Sequence, residues 1–468
     1  MPVWSGVYEN LSNGNLGILP TSPVGTIVAV GPCQTGVVGD IYLYGPADKG
    51  AILGELGYGD LPMRLLNFFE LAGQNAKAIV VPADPDVAGA ISDVIQGTGS
   101  GSAPAATTSG SPVGAFRISV EILTGGAHGT ATFRWSPDGG TTWYGPIATP
   151  AIATPYALSP TGVSVAFASG TFLAGDTYDF DTEGPGCTAS SLLDALDIAK
   201  DSLLPFEYAV VMTPTVAATW SSLDTWAEGL FDEHNPIRVL TEAELPDFGE
   251  TAADFVTARA AEIASFASDR VSICVGTVEV SGSDGKTWVV GLSGLVAGLI
   301  AGFPVQRSVG STRYGRLSPV TKFVPAMTEA QIKTLDEARY VVARRYVGLV
   351  GFYVNNGNIA SESISDYQAI EVGRVMDNVI RNLRVTALGY VHSEVLVVNG
   401  VADPSGLKAL EGACQGTLRN LAATFSSARI EIPAGQDVIA TSQIDATITV
   451  VPLGYAKKIN LTFGLAKV

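Results

Sequence analysis

The sequence predicts an α/β (α+β) protein: mixed sheets flanked by helices, an inserted all-β sandwich-like domain, and extended N- and C-terminal arms. Three observations predict it. Apolar runs of strand length alternate with helical patterns in residues 21–96 and again after 187. Between them lies a stretch with strand patterns only and no lysine. Both ends of the chain show apolar residues without helical spacing.

The first element is an arm, residues 1–20, "MPVWSGVYENLSNGNLGILP". It has no helical period, Asn13-Gly14 marks a turn, and Val3, Trp4, Val7 and Tyr8 are its apolar anchors. "GTIVAVGP" (25–32) then reads as a buried strand. "DLPMRLLNFFELAGQ" places Leu61, Leu65, Leu66, Phe68 and Phe69 at helical spacing, with Pro62 tolerated in the first turn. "AKAIVVPAD" is a second buried strand, completing a βαβ-type unit.

At Gly97 the composition shifts to the low-complexity run "GTGSGSAPAATTSGSPVG". "AFRISVEIL", "GTATFRWS", "TTWYGPI", "GVSVAFASG" and "DTYDFDT" follow as strands separated by turn signals, including Asp138-Gly139-Gly140. Residues 97–186 are therefore read as a small β-sandwich inserted into the α/β domain formed by 21–96 and 187–305.

The α/β pattern returns with the helix "SLLDALDIAKDS", which begins at a serine cap. Two more strand–helix pairs follow, including the helix "AATWSSLDTWAEGLFD". The apolar run Trp288–Val305 is 18 residues long, the lower limit for a membrane span. Gly294, Gly298 and Gly302 punctuate it at GxxxG spacing, and its glycines and serine dilute its hydropathy. The expectation is a buried helix packed through a small-residue face. Residues 306–452 are read as a C-terminal α/β domain. Thr328 and Gln331 suit a capping box for the helix "EAQIKTLDEARYVVARRY". "DYQAIEVGRVMDNVIRNLR" and "GLKALEGACQGTLRNLAAT" are helices, and "ARIEIPA" and "DATITVVP" are strands.

Residues 453–468 form the last arm. In "KKINLTFGLAKV", Ile459, Leu461, Phe463 and Leu465 alternate with Asn460, Thr462, Gly464 and Ala466. That is the signature of a half-buried strand, yet no later segment in this sequence can pair with it. Such a strand needs an edge in the same chain or in another one.

Composition narrows the function. Of 468 residues, 47% are apolar and 15% charged, which suits a well-packed protein. The net charge of −18 argues against nucleic-acid binding. Residues 1–299 carry 10 Lys/Arg against 32 Asp/Glu; residues 300–468 carry 17 against 13. The asymmetry suits head-to-tail attraction between copies. Cys33, Cys187, Cys274 and Cys414 form no CxxC pair, and His128, His234 and His392 are isolated, so no metal site and no cofactor are expected. "MPVWSGVYEN" has neither the basic start nor the apolar run of a secretion signal.

Few motifs point to chemistry. "SGSDGKT" (281–287) ends like a phosphate loop, but the glycine needed five positions before Gly285 is replaced by Val280, and the flanking strands suit a hairpin. Trp135, Trp143 and Tyr144 are either a sugar-stacking platform or sandwich packing. Asp176, Asp179 and Asp181 are either a calcium site or solvated carboxylates. Arg374, Arg381 and Arg384 share one side of a helix and either meet an acidic partner or face solvent. No nucleophile–base–acid set is present, so no enzyme is expected.

The phrases "SDYQAIEVGRVMDNVIRNLR", "QDVIATSQIDATITVVPLGYAKKINLTFGL" and "GLSGLVAGLIAGFP" resemble the contractile tail sheath proteins of bacteriophages and related injection machines. The resemblance covers about 20–96 and 187–468 and leaves the insertion outside it. It implies a homo-oligomer of stacked rings around a tail tube protein, ended by baseplate and tail terminator proteins. Its place would be the virion tail, assembled in the bacterial host cytoplasm without membrane insertion. It also implies that arms pair with a sheet in neighbouring subunits. Ile459, Leu461, Phe463 and Leu465 would then dock into another copy, as would Val3, Trp4, Val7 and Tyr8. Arg374, Arg381 and Arg384 are the tube-facing candidates. The alternative is a glycan-binding adhesin acting through residues 97–186.

Overall fold

The computed structural model describes residues 22–97, 103–247, 250–281 and 287–465. Its centre is a six-stranded sheet in the order Val271–Cys274, Arg238–Ala243, Tyr208–Thr215, Thr26–Gly31, Lys77–Pro82, Tyr42–Tyr44. All pairings are parallel except the last, where Tyr42–Tyr44 runs antiparallel at the edge. A parallel sheet covered on both faces needs apolar residues at every position, and Thr26–Gly31 is buried throughout. Ile27 and Ala29 face one core; Val28 and Val30 face the other.

The first face is covered by the helices Asp60–Leu71 and Ser293–Gly302, the second by Ala189–Asp201, Ala217–Asp232 and Ala252–Ile263. Thr188, not a serine, caps the Ala189–Asp201 helix, accepting from the backbone N–H of Ser191.

The apolar run from Trp288 to Val305 divides in two. Thr287–Gly291 is a strand, with Trp288 and Val290 inward, paired to Thr277–Ser281. Only Ser293–Gly302 is helical. β-Branched residues at alternate positions suit the strand, and small residues suit the helix. The small-residue face packs as expected. A Cβ added at Gly298 would lie 2.6 Å from the Phe68 carbonyl oxygen, and one at Gly302 2.9 Å from that of Leu71. Beneath this contact Arg64 is fully buried between Asp60, at 2.7 Å, and Glu242. The Glu242 carboxylate also accepts from the Ser293 N–H at 3.2 Å, holding the helix start. No helix among the described residues is long and apolar enough to cross a membrane.

The insertion is a two-sheet sandwich, and it begins before residue 97. The short strands Ala90–Ile91 and Ile95–Gln96 already pair with Thr177–Glu183, and Val87 bridges Gly186 at the root. One sheet continues through Phe116–Thr124, Thr132–Ser136 and Tyr144–Ala148; the other holds Ala106–Gly110, Val163–Phe167 and Tyr156–Leu158. Phe133, Phe167, Phe172 and Tyr178 fill the space between them. Trp288 of the main domain meets Phe116 at 5.7 Å and Tyr58 at 5.9 Å, so the insertion is seated on the core.

Residues 306–369 do not form part of a separate C-terminal domain. Val309, Leu317 and Val354 join the first core, and Leu335, Tyr340 and Val342 the second. The capping box of Thr328 and Gln331 forms, but its helix ends at Glu337. Arg339 turns with φ 76°, and Val341 then bonds alongside Ile273 and Val275 at the sheet edge. The separate C-terminal core starts with the helix Ile370–Leu388. Val375, Val379 and Leu383 pack there against Leu407, Cys414 and Leu418 of the helix Pro404–Asn420, and against Ile430.

Candidate assembly interface

The C-terminal unit carries an open sheet. Ser427–Glu431 and Thr447–Val451 pair antiparallel, with Ile430 opposite Ile448 and Ala428 opposite Val450. No other strand among the described residues pairs with either outer edge. Ala428, Ile430 and Val450 face the Pro404–Asn420 helix and its core, whereas Ile448, on the same face, stays exposed. An unpaired edge with an uncovered apolar side chain is a template for a further strand.

The chain continues from this sheet into the arm. Pro452 accepts from the Ser426 hydroxyl at 2.9 Å. The Tyr455 hydroxyl donates to the Gln306 carbonyl oxygen at 2.5 Å, fixing the arm's root to the main domain. Lys457 lies close enough to favour the charge on Glu371, a carboxyl whose pKa burial pushes up. Beyond this root the expected strand is absent: no ladder forms over 452–465. Ile459, Leu461, Phe463 and Leu465 are 75%, 72%, 89% and 106% exposed. Strand backbone needs a partner edge, and among the described residues the arm pairs with none. The other four arm anchors, Val3, Trp4, Val7 and Tyr8, lie outside the described residues.

The arginine stripe is a correction. Arg374 is buried and paired to Glu207 at 2.6 Å. Arg381 donates to the Pro236 carbonyl oxygen and is partly buried. Burial first, then neighbouring Arg238 and Arg374, pull the Arg381 pKa down, while Asp377 and Glu207 partly offset them. Only Arg384 is exposed, beside a groove of about 490 Å³ lined by Phe231, Pro236, Ile380 and Leu388. The side of the helix read as solvent- or partner-facing therefore packs on the ends of the sheet strands. There Arg238 pairs with Asp377 at 2.6 Å, and Arg270 lies 4.0 Å from the same carboxylate. Three guanidinium groups, those of Arg374, Arg238 and Arg270, thus share two buried carboxylates and, with the Arg381 bond to Pro236, hold the C-terminal unit to the main domain. Sequence reasoning missed Glu207, Arg238 and Asp377. A signal existed: Glu207 and Arg238 are charges placed at the mouths of consecutive apolar strands.

Removing one partner of such a pair strands the other in a dry site, at a cost of about 3–5 kcal/mol. Asp377→Ala is expected to lower the thermal midpoint and to speed amide exchange along Ile370–Leu388, read by hydrogen-exchange mass spectrometry. Exchange unchanged along that helix would show that the pairs do not anchor it.

The other candidates are structural in form. Trp135 is buried and stacks on Tyr144 at 4.8 Å, and Arg134 covers the Trp143 ring at 4.2 Å, so no bare aromatic platform is presented. Asp176 is buried and accepts from the Leu173 N–H at 2.8 Å. Asp181 stands 3.7 Å from Arg117. No group of three metal-ligating side chains occurs among the described residues. The strands Thr277–Ser281 and Thr287–Gly291 pair antiparallel, as the hairpin reading expects, while residues 282–286, with the glycine–lysine pair, lie outside the described residues.

Two family models cover the chain: DUF2586, N-terminal domain, over residues 4–358, and DUF2586, C-terminal domain, over 366–468. The chain belongs to the DUF2586 family. The boundary between the two models falls just before the Ile370–Leu388 helix, where the second core begins. A candidate tail sheath protein of Haemophilus phage HP1 is 37% identical to the DUF2586 chain over 73 residues, 16% of this chain. The match spans about a fifth, 19%, of that protein's length. Among solved structures, the sheath complex of the extracellular contractile injection system PVC, in its contracted state, superposes with a TM-score of 0.53 at 11% identity. It covers 99% of the DUF2586 chain and 98% of its own. A chain of the anti-feeding prophage baseplate gives 0.51 at 13% identity, covering both chains fully. The DUF2586 chain therefore shares its mixed α/β fold with these contractile systems, and the resemblance in its C-terminal phrases extends to the whole fold.

Proposed function

We propose that this protein is the structural subunit of a contractile tail sheath. It polymerises as stacked rings around an inner tube and contracts to drive that tube through a cell envelope. One observation carries the reading: among the described residues the same chain bears an exposed apolar arm that joins no ladder and an open sheet with no third strand. Arm residues Ile459, Leu461, Phe463 and Leu465 of one copy complete the sheet of another, with Ile448 among the side chains they cover. Val3, Trp4, Val7 and Tyr8 serve the same purpose at the other end. Donor and acceptor are different surfaces, so the contact is heterologous and propagates as a helix.

The work of contraction comes from contacts made as folded units rotate, with the arms as tethers that stay paired. The root at Tyr455 and Gln306 sets where each tether leaves its own subunit. Arg384 is the one arginine of the three whose exposure suits the tube. A tube protein, a baseplate and a terminator are the expected partners, in a virion tail assembled in the host cytoplasm. Electron microscopy of the purified chain, alone and with its tube protein, tests this: hollow cylinders are expected, and discrete particles under both conditions would overturn the reading.

A further inference from the structure

A cleft of about 690 Å³ opens where the insertion meets the main domain. Phe116, Val289 and Val324 give it an apolar floor, and Asp181, Glu183, Asp247 and Glu250 line its rim. These carboxylates are crowded. Burial, opposed by Arg117 but reinforced by Asp179 and Glu183, pushes Asp181 up to about 6. Burial and then Asp247, Asp60 and Glu244 push Glu183 up as well. Arg117 is the one basic side chain on the lining, so negative charge there is under-compensated.

The complementary shape occurs elsewhere on the chain. The turn Arg345–Gly351, "RYVGLVG", projects from the main domain. Gly348 and Gly351 take φ values of 90° and 98°, which side chains rarely adopt, and so bend the turn tightly. Val347 is 107% exposed and Val350 75%. The base is stiff: Tyr346 and Tyr353 meet at 5.9 Å, Leu349 donates to the Tyr346 carbonyl at 3.1 Å, and Tyr353 donates to that of Val350 at 3.0 Å. Arg316 lies along Gly351, Arg345 flanks Val347, and neither makes an ion pair among the described residues. An apolar tip held rigidly outside the fold, between two unpaired guanidinium groups, is a poor solvent-facing surface and a good plug.

We propose that the Arg345–Gly351 turn of one copy inserts into the acidic cleft of a second copy. Val347 and Val350 meet the floor at Phe116 and Val324, while Arg345 and Arg316 meet Asp247, Glu250 and Glu183. Apolar burial supplies affinity, and the charges set orientation and exclude other registers. Cleft and turn share no residue, so this contact is heterologous, and without the arms it is too weak to hold a polymer. It goes beyond the arm exchange and does not depend on it.

The test places the photo-reactive residue benzoylphenylalanine at position 347 in the full chain. Isotopically light and heavy chains are mixed, irradiated and mapped by mass spectrometry. Inter-chain cross-links to peptides containing Phe116, Val324 or Pro325 are expected. Asp247→Lys with Glu250→Lys should cut their yield about tenfold, and adding Arg345→Glu with Arg316→Glu should restore it. Absence of inter-chain links, links elsewhere, or a yield indifferent to the charge reversal would overturn the proposal. The same experiment on a chain ending at Pro452 separates the two contacts. Links that persist there while polymers vanish assign assembly to the arms and this docking to the cleft.

Discussion

Replacing Leu461 and Phe463 by Asp is expected to abolish polymers while leaving the chain folded. In the single subunit these side chains are 72% and 89% exposed, so charging them there costs almost nothing. In the assembly they lie on one face of an added strand. Each carboxylate would have to be buried or to hold that face open, and the penalty recurs at every subunit of the helix. Circular dichroism and the thermal midpoint should match the parent within about a degree or two. Sedimentation velocity should show monomers at concentrations where the parent sediments as large species. Asn460→Asp with Thr462→Asp, on the opposite face, is the control and should weaken assembly far less. Equal loss from both pairs would mean that the arm is not read as a strand with one buried face.

Gly298→Val is the second large effect, and it acts on the fold. The Ser293–Gly302 helix approaches Asp60–Leu71 so closely that a Cβ at 298 would lie 2.6 Å from the Phe68 carbonyl and 3.0 Å from the Leu71 Cβ. Neither neighbour can yield, because Phe68 lies in the first core and backbone carbonyls cannot rotate away. The helices must separate. That strips packing from Leu65, Leu295 and Leu299 and loosens the Arg64 pairs with Asp60 and Glu242. Overpacking of this kind costs about 3 kcal/mol or more. Thermal denaturation should show a clearly lower midpoint, and expression in soluble form should fall. Gly229→Val makes the comparison, since open space surrounds that position and the cost is limited to local helix propensity. A stability loss at 298 no greater than at 229 would show that the close helix contact does not support the core.

These two effects mark how far the sequence could be read. Apolar runs buried on both faces, such as Thr26–Gly31, declare themselves because no solvent-facing position dilutes them. The helix Ala217–Asp232 was legible to the residue, since strand signals bound it on both sides. At Trp288–Val305 two readings overlapped, a hairpin strand after residue 286 and one buried helix over the whole run, and the point of division was not legible because fully buried strands and helices share the same apolar composition. Nor was the extent of the C-terminal unit. Residues 306–369 join the main core through partners remote in sequence, as when Val341 bonds beside Ile273. The arginine stripe misled for the same reason. An arginine at helical spacing looks solvated until Glu207, 167 residues away, is brought to Arg374. The arm was legible because its evidence is local: four alternating apolar side chains within one short stretch.

The most direct test of the account is electron microscopy of the full chain beside a chain ending at Pro452. The account predicts hollow polymers from the first and discrete folded particles from the second. Polymers that survive the truncation, or discrete particles from both, would contradict the claim that the last strand of each subunit belongs in its neighbour.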